Sequence, residues 1–219
     1  MQLSIITALE IQKRNKERVN LYLDGEFAFG IPLIDAAKLH KGQKLSQEQI
    51  DELRHLDAIQ RSMDKAVRFL SYRPRSVDEV RRNLIKNETP ESIVEIALER
   101  LINMGYLDDE AFARFWLENR DMFKPRGTAA LRYELRQKGI TDTIIDLILS
   151  EFDVEDAAYR AAQSKVRSMR GKTEQDFRKK VGSFLQRRGF TYDVCRNAIE
   201  QSIQEIVEND PEFFAEREE

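Results

Sequence analysis

A mainly α fold is predicted: a tandem array of three three-helix repeats with a small N-terminal antiparallel β-meander. Three observations predict it. One segment of fifteen residues recurs three times, helix start and stop signals recur beyond residue 45, and the first 31 residues alternate with period two instead. The recurring segment reads LIKNETPESIVEIAL from Leu84, LRQKGITDTIIDLIL from Leu135 and LQRRGFTYDVCRNAI from Leu185. The opening leucines are 51 and then 50 residues apart. An apolar residue returns at Ile93, Ile144 and Val194, and again at Leu98, Leu149 and Ile199. Repeats of this length are supersecondary units that bury their apolar faces on one another. Such arrays offer a long surface to a large partner.

The N-terminal elements follow from alternation. Ile5 to Ile11 is rich in β-formers, and Lys13-Arg14-Asn15-Lys16 makes a polar turn. Val19, Leu21 and Leu23 alternate with polar or amphipathic neighbours, then Phe27, Phe29 and Ile31 alternate again. Asp24-Gly25 between them supplies hairpin-turn chemistry. Three strands are expected, then a short helix from Pro32 through Leu39, closed by His40-Lys41-Gly42.

Beyond residue 45 the signals are helical. Ser46-x-x-Gln49, Ser76-x-x-Glu79, Asp153-x-x-Asp156 and Thr173-x-x-Asp176 resemble capping boxes. Thr89-Pro90 reads as an N-cap with proline at the first helical position, and Asp108, Thr141 and Thr191 are further N-cap candidates. Arg73-Pro74, Gly105, Lys124-Pro125, Gly139, Gly171 and Gly189 are stop signals. Nine helices result, at 47–71, 77–87, 90–104, 109–122, 128–138, 142–151, 154–170, 174–188 and 192–208. They group in threes. The expected division is 1–45 for the meander and short helix, 46–107, 108–152 and 153–208 for the repeats, and 209–219 for an acidic tail. The expected shape is an elongated, curved monomer.

Composition narrows the function. No apolar run approaches a membrane span, and the first residues lack a signal peptide's h-region and cleavage site, so a cytoplasmic protein is expected. The single cysteine, Cys195, excludes an intrachain disulfide. The net charge of −3 hides an asymmetry. From Glu205 onward there are seven acids (Glu205, Glu208, Asp210, Glu212, Glu216, Glu218, Glu219) and one base, Arg217, leaving +3 on residues 1–204.

Catalytic chemistry has no support in the sequence. His40 and His55 sit in different elements, far from Cys195, and no phosphate-cradling glycine loop or nucleophile elbow occurs. Asp108-Asp109 is read as a helix-start pair that complements the macrodipole, and Glu151, Asp153, Glu155 and Asp156 likewise. An enzyme, a metal and a cofactor are not expected.

The informative polar residues lie in loops after the first helix of each trio: Tyr72-Arg73-Pro74-Arg75-Ser76, Phe123-Lys124-Pro125-Arg126-Gly127 and Met169-Arg170-Gly171-Lys172-Thr173. Each sets two cations around Pro or Gly beside an apolar residue. Arg73, Arg75, Lys124, Arg126, Arg170 and Lys172 are the candidate partner-binding residues. A track of them would suit an acidic groove or a phosphate backbone; the alternative is a solvated face. Further bases lie on the middle helices, among them Arg81, Arg82, Arg132, Arg136, Arg178 and Arg187. The aromatics Phe69, Tyr72, Phe112, Phe115, Trp116, Phe184 and Phe190 have helical spacing and are expected in the cores. Phe213 and Phe214, in the acidic tail, admit docking on this chain or on a partner.

These residues resemble the RecX family, bacterial regulators of the RecA recombinase. The resemblance rests on Leu23-Asp24-Gly25-Glu26-Phe27, Leu70-Ser71-Tyr72-Arg73-Pro74-Arg75-Ser76, and Gly105-Tyr106-Leu107-Asp108-Asp109 with Phe112-Ala113. Leu135-Arg136-Gln137-Lys138-Gly139-Ile140 and Arg187-Arg188-Gly189-Phe190 extend it, from about residue 5 to 204. Asn87-Glu88-Thr89 departs from the basic-Gly-apolar turn of the other two repeats, and the acidic tail is outside the pattern. The resemblance implies a non-enzymatic modulator. It would bind RecA and lie in the groove of the RecA–DNA filament. There it would restrain filament growth, ATP hydrolysis and strand exchange, and so modulate DNA repair and the damage (SOS) response. The competing class is a direct nucleic-acid-binding helical repeat protein, against which stand the acidic total charge and the lack of a basic recognition helix.

Overall fold

The computed structural model describes residues 3–215. Glu216, Arg217, Glu218 and Glu219 of the expected acidic tail lie outside the described residues. The chain forms two compact units, Met1–Leu107 and Asp108–Glu219.

The first unit opens with a sheet. Strands β1 (Leu3–Ile11), β2 (Arg18–Leu23) and β3 (Glu26–Pro32) pair antiparallel in sequence order. Asp24 and Gly25 both take positive φ, 52° and 92°, the twist that a two-residue hairpin turn requires. Val19, Leu21 and Ile31 are buried, as the alternation predicts, and Ile6 of β1 is buried with them. Phe27 departs from it and is exposed. The β2–β3 register shifts between Leu21 and Tyr22, so Phe27 pairs with Tyr22 and packs edge-on against its ring at 5.9 Å.

The meander also gains a fourth strand. β4 (Lys44–Ser46) pairs antiparallel with β1, giving the order β3-β2-β1-β4. Three residues are too short to show alternation, yet Leu45 is buried in the sheet core. The short helix is also smaller than expected: α1 spans Leu33–Ala36, with Pro32 as its N-cap.

Helix α2 (Gln47–Leu70) begins at a complete capping box of Ser46 and Gln49. Arg18 of β2 reaches it, pairing with the buried Asp57 at 2.5 Å and donating to the Gly30 carbonyl at 3.0 Å. With α3 (Val77–Lys86) and α4 (Glu91–Asn103) it forms the first module. Pro90, rather than Thr89, holds the N-cap of α4. In the second unit, α5 (Asp109–Phe123), α6 (Thr128–Gln137) and α7 (Asp142–Ser150) form one module. The next comprises α8 (Val154–Val166), a 3₁₀ turn at Arg167–Met169, α9 (Glu174–Arg187) and α10 (Tyr192–Asn209). Asp108, Asp153 and Thr173 cap through their side chains, whereas Thr141 and Thr191 hold their cap positions without such a bond.

The repeat is visible in backbone bonds. Leu84, Leu135 and Leu185 are buried, and their carbonyls accept from the amides of Thr89, Ile140 and Phe190 at 3.2, 3.1 and 3.3 Å. Each bond closes a left-handed turn after a middle helix. Gly139 and Gly189 make that turn with positive φ; in the first repeat Glu88 makes it at φ 59°. The departing sequence therefore keeps the geometry and bears the strain of a side chain.

Each module has its own core, led by Ile59, Val80 and Leu101, by Phe112, Leu135 and Ile145, and by Phe177, Val181 and Leu185. Of the aromatics expected there, Tyr72 is 78% exposed and Phe115 lies at the surface. Tyr72 falls beyond the end of α2, where helical spacing no longer aims it inward. The tail segment docks on this chain: Phe213 is buried in the third module's core and Phe214 meets Phe177 edge-on at 5.7 Å.

Candidate partner-binding surface

The three basic loops recur, but their cations are held differently. In the first, the Arg73 guanidinium grips both oxygens of Glu79 at 2.9 and 3.2 Å and donates to the Pro74 carbonyl at 2.8 Å. Arg75 lies over the Phe69 ring, 4.0 Å from its centroid, with Nε buried and without a hydrogen-bond partner. Burial, then the neighbouring Arg73 charge, lowers the Arg75 pKa. Ser76 ends the loop as the buried N-cap of α3.

In the second loop Lys124 is exposed, while Arg126 pairs with Glu134 at 3.0 Å. Glu134 also accepts from Arg120 Nε at 2.7 Å and Trp116 Nε1 at 2.8 Å. The loop is clamped to the turn after α9. Gly127 N–H donates to the Arg188 carbonyl at 2.9 Å, and Arg188 Nη1 donates to the Pro125 carbonyl at 3.0 Å. A Cβ on Gly127 would stand 2.1 Å from the Gly189 oxygen, so no other residue fits there without movement.

The third loop is strapped by the tail. Gly171 N–H donates to the Phe213 carbonyl at 3.0 Å, and Ala215 N–H to the Lys172 carbonyl at 3.1 Å. Arg170 pairs with Asp210 and lies 5.9 Å from the Phe213 ring centroid. Lys172 is exposed.

Among the described residues, then, Arg73, Arg126 and Arg170 are engaged by acids of their own module, and Arg75 by a ring. Among the described residues no carboxylate lies within ion-pair distance of Lys124 or Lys172. Five of the middle-helix arginines are also engaged: Arg81 with Glu95, Arg82 with Asp78, Arg132 with Asp146, Arg136 with Asp142, and Arg178 with Glu174 and Glu200. Sequence reasoning missed these bridges; the i,i+4 spacing of Asp78 with Arg82 and of Glu174 with Arg178 was a signal for two of them, and Arg81–Glu95 and Arg132–Asp146 share an offset of 14 residues. Beside the loops, Tyr72 and Phe123 are exposed aromatics.

No group of three or more metal-ligating side chains occurs among the described residues, and His40 and His55 are both exposed. No described helix is long and apolar enough to cross a membrane.

A small antiparallel sheet followed along the chain by three-helix modules, with cationic loops at matching points of each repeat, defines a tandem helical-repeat protein. Four family profiles match in order: "Regulatory protein RecX N-terminal domain" over residues 4–46, then the first, second and third three-helix domains of RecX over 63–101, 108–149 and 153–199. The chain belongs to the RecX family. It is 34% identical to the regulatory protein RecX of Bacillus velezensis, over 94% of this chain and 80% of that one. The RecX of Bacillus subtilis is 32% identical over 90% and 76% of the two chains. A crystal structure of a regulatory protein RecX superposes with a TM-score of 0.74 at 30% identity, covering 87% of this chain and 96% of that one. The RecX of Lactobacillus salivarius, 20% identical, shares the fold with a TM-score of 0.62, over 68% and 98% of the chains.

Proposed function

We propose that this protein is a non-enzymatic, cytoplasmic regulator that binds the RecA recombinase or the groove of its DNA filament. In this reading it restrains filament extension, ATP hydrolysis and strand exchange. The observation that carries the reading is the match of all four RecX domains in order along the chain. The three modules 46–107, 108–152 and 153–208 are its contact units. Lys124 and Lys172, exposed and without a carboxylate in ion-pair distance among the described residues, are the loop cations that meet an acidic surface, with the exposed rings of Tyr72 and Phe123 in the first two loops. Arg73, Arg75, Arg126 and Arg170 contribute by shaping the loops and by the share of their charge that their partners leave to solvent.

The test is enzymatic on the partner. Purified chain added below equimolar ratio should depress the DNA-dependent ATP hydrolysis and strand exchange of its cognate RecA. RecA activity unchanged at an equimolar ratio contradicts the proposal.

A further inference from the structure

The repeat register extends to the surface, and the third module breaks it. In the first module Arg81 of α3 bridges to Glu95 of α4 through two bonds of 2.8 Å. In the second, Arg132 of α6 bridges to Asp146 of α7 at 2.6 Å. Both arginines stand three residues before the repeat leucine and both acids eleven after it. At those positions the third module has Gly182 and Arg196. Four residues before the acid, the first two modules carry Glu91 and Asp142, whereas the third carries Tyr192. The bridge is thus deleted, and an acidic face becomes aromatic and basic.

What remains is a groove of about 430 Å³ between α9 and α10. Gly182, Cys195 and Ile199 line it with apolar surface, Tyr192 stands 69% exposed beside them, and Lys179 and Arg196 add positive charge. Glu200 also lines it, but its oxygens are engaged by Arg178, which holds its carboxyl below the usual range; Arg196 adds to the effect. Lys179 and Arg196 are both exposed, and no carboxylate lies within ion-pair distance of either among the described residues.

We infer that this groove docks a short acidic peptide segment of a partner protein carrying one apolar side chain. Lys179 and Arg196 take its carboxylates, Arg196 in the bidentate geometry that suits guanidinium. The apolar side chain lies on Gly182 and Ile199 against the Tyr192 ring. A nucleic-acid backbone fits less well, because the apolar floor of Gly182, Cys195 and Ile199 offers a phosphate nothing. The inference goes beyond RecA regulation and stands whichever protein supplies the segment.

The discriminating variant is Gly182→Arg with Arg196→Glu, which installs the bridge of the other two modules. A Cβ at Gly182 meets only Ile199 Cδ1 at 3.5 Å, an ordinary contact, so the fold should be kept. The probe is a panel of fluorescein-labelled hexapeptides, each with two or more Glu or Asp around one Leu, Phe or Trp. Anisotropy with the full chain should show binding that weakens with salt. The double variant should lose it by roughly tenfold or more, about 1.4 kcal/mol, at an undiminished melting temperature. Should that variant fail to fold, Arg196→Gln with Tyr192→Ala makes the same comparison. Peptide binding absent across the panel, or unaltered in a folded variant, overturns the inference. So does a labelled single-stranded oligonucleotide that binds more tightly than every peptide and is lost in the same variant.

Discussion

Arg126 and Glu134 stand 3.0 Å apart, and Glu134 is shared with Arg120 and Trp116. A cation that sequence spacing marks for a partner is thus part of a network within its own module. Reversing it to Glu would set two carboxylates against each other in a partly buried place. Arg126→Glu should therefore lower stability by about 1–2 kcal/mol, the ordinary cost of breaking such a network, measurable by urea melts. Lys124→Glu with Lys172→Glu should leave the melt unchanged, because exposed single charges contribute little to folding. Of the two, only the lysine variant is a clean probe of partner binding, and its defect should be steepest at low salt.

The tail makes a second prediction. Phe213 is buried and its carbonyl accepts from Gly171, so the strap belongs to the third module's core. Phe213→Ala should cost about 3–5 kcal/mol, the range for emptying a packed aromatic site. If Phe213→Ala melts like the parent chain, the strap is not docked in solution.

The repeat turns make a third. Glu88 occupies the left-handed position that glycine fills in the other two repeats. Left-handed backbone costs a side-chain-bearing residue about 1–2 kcal/mol, part of which glycine gives back through unfolded-chain entropy. Glu88→Gly should therefore raise the thermal midpoint slightly, whereas Gly189→Ala should lower it. Its Cβ would stand 2.6 Å from the amide nitrogen and Cβ of Ala130. Leu135→Asp should unfold at least its own module, because it leaves an unpaired charge at a buried anchor.

Acid should destabilise the protein by a nameable route. Hydrogen bonds from Arg81, Arg178 and Arg136 hold the carboxyls of Glu95, Glu200 and Asp142 below their ordinary values of 4.5 and 3.8. Depressed carboxyls contribute stability that is complete above those ordinary values and lost as pH falls through the folded ones. Urea midpoints should be level above about pH 5 and fall below it. Charge-swapped bridges, such as Arg81→Glu with Glu95→Arg, should keep that acid limb.

Much of this fold was legible because burial leaves a period. Leu84, Leu135 and Leu185 recur at fixed spacing because each closes the same turn over its module's core. Asp24-Gly25 named its hairpin because few residue pairs accept two positive φ values. β4 was not legible, since three residues carry no period and its pairing partner lies about forty residues upstream. Phe27 misled because a bulge shifts register without a sequence mark. The cationic loops were legible as a repeat, but not which cations stay free: Arg170 finds Asp210 forty residues on, through a strap whose docking depends on Phe213.

The central claim is contact with RecA filaments rather than with DNA. Co-sedimentation of the purified chain with RecA assembled on single-stranded DNA, set beside the same DNA without RecA across a salt series, tests it most directly. The account predicts that the chain pellets with the filament at salt concentrations where it leaves naked DNA in the supernatant, and that Lys124→Glu with Lys172→Glu reduces the pelleted fraction. Equal retention by DNA with and without RecA, lost in parallel as salt rises, would contradict it and make the chain a direct nucleic-acid binder.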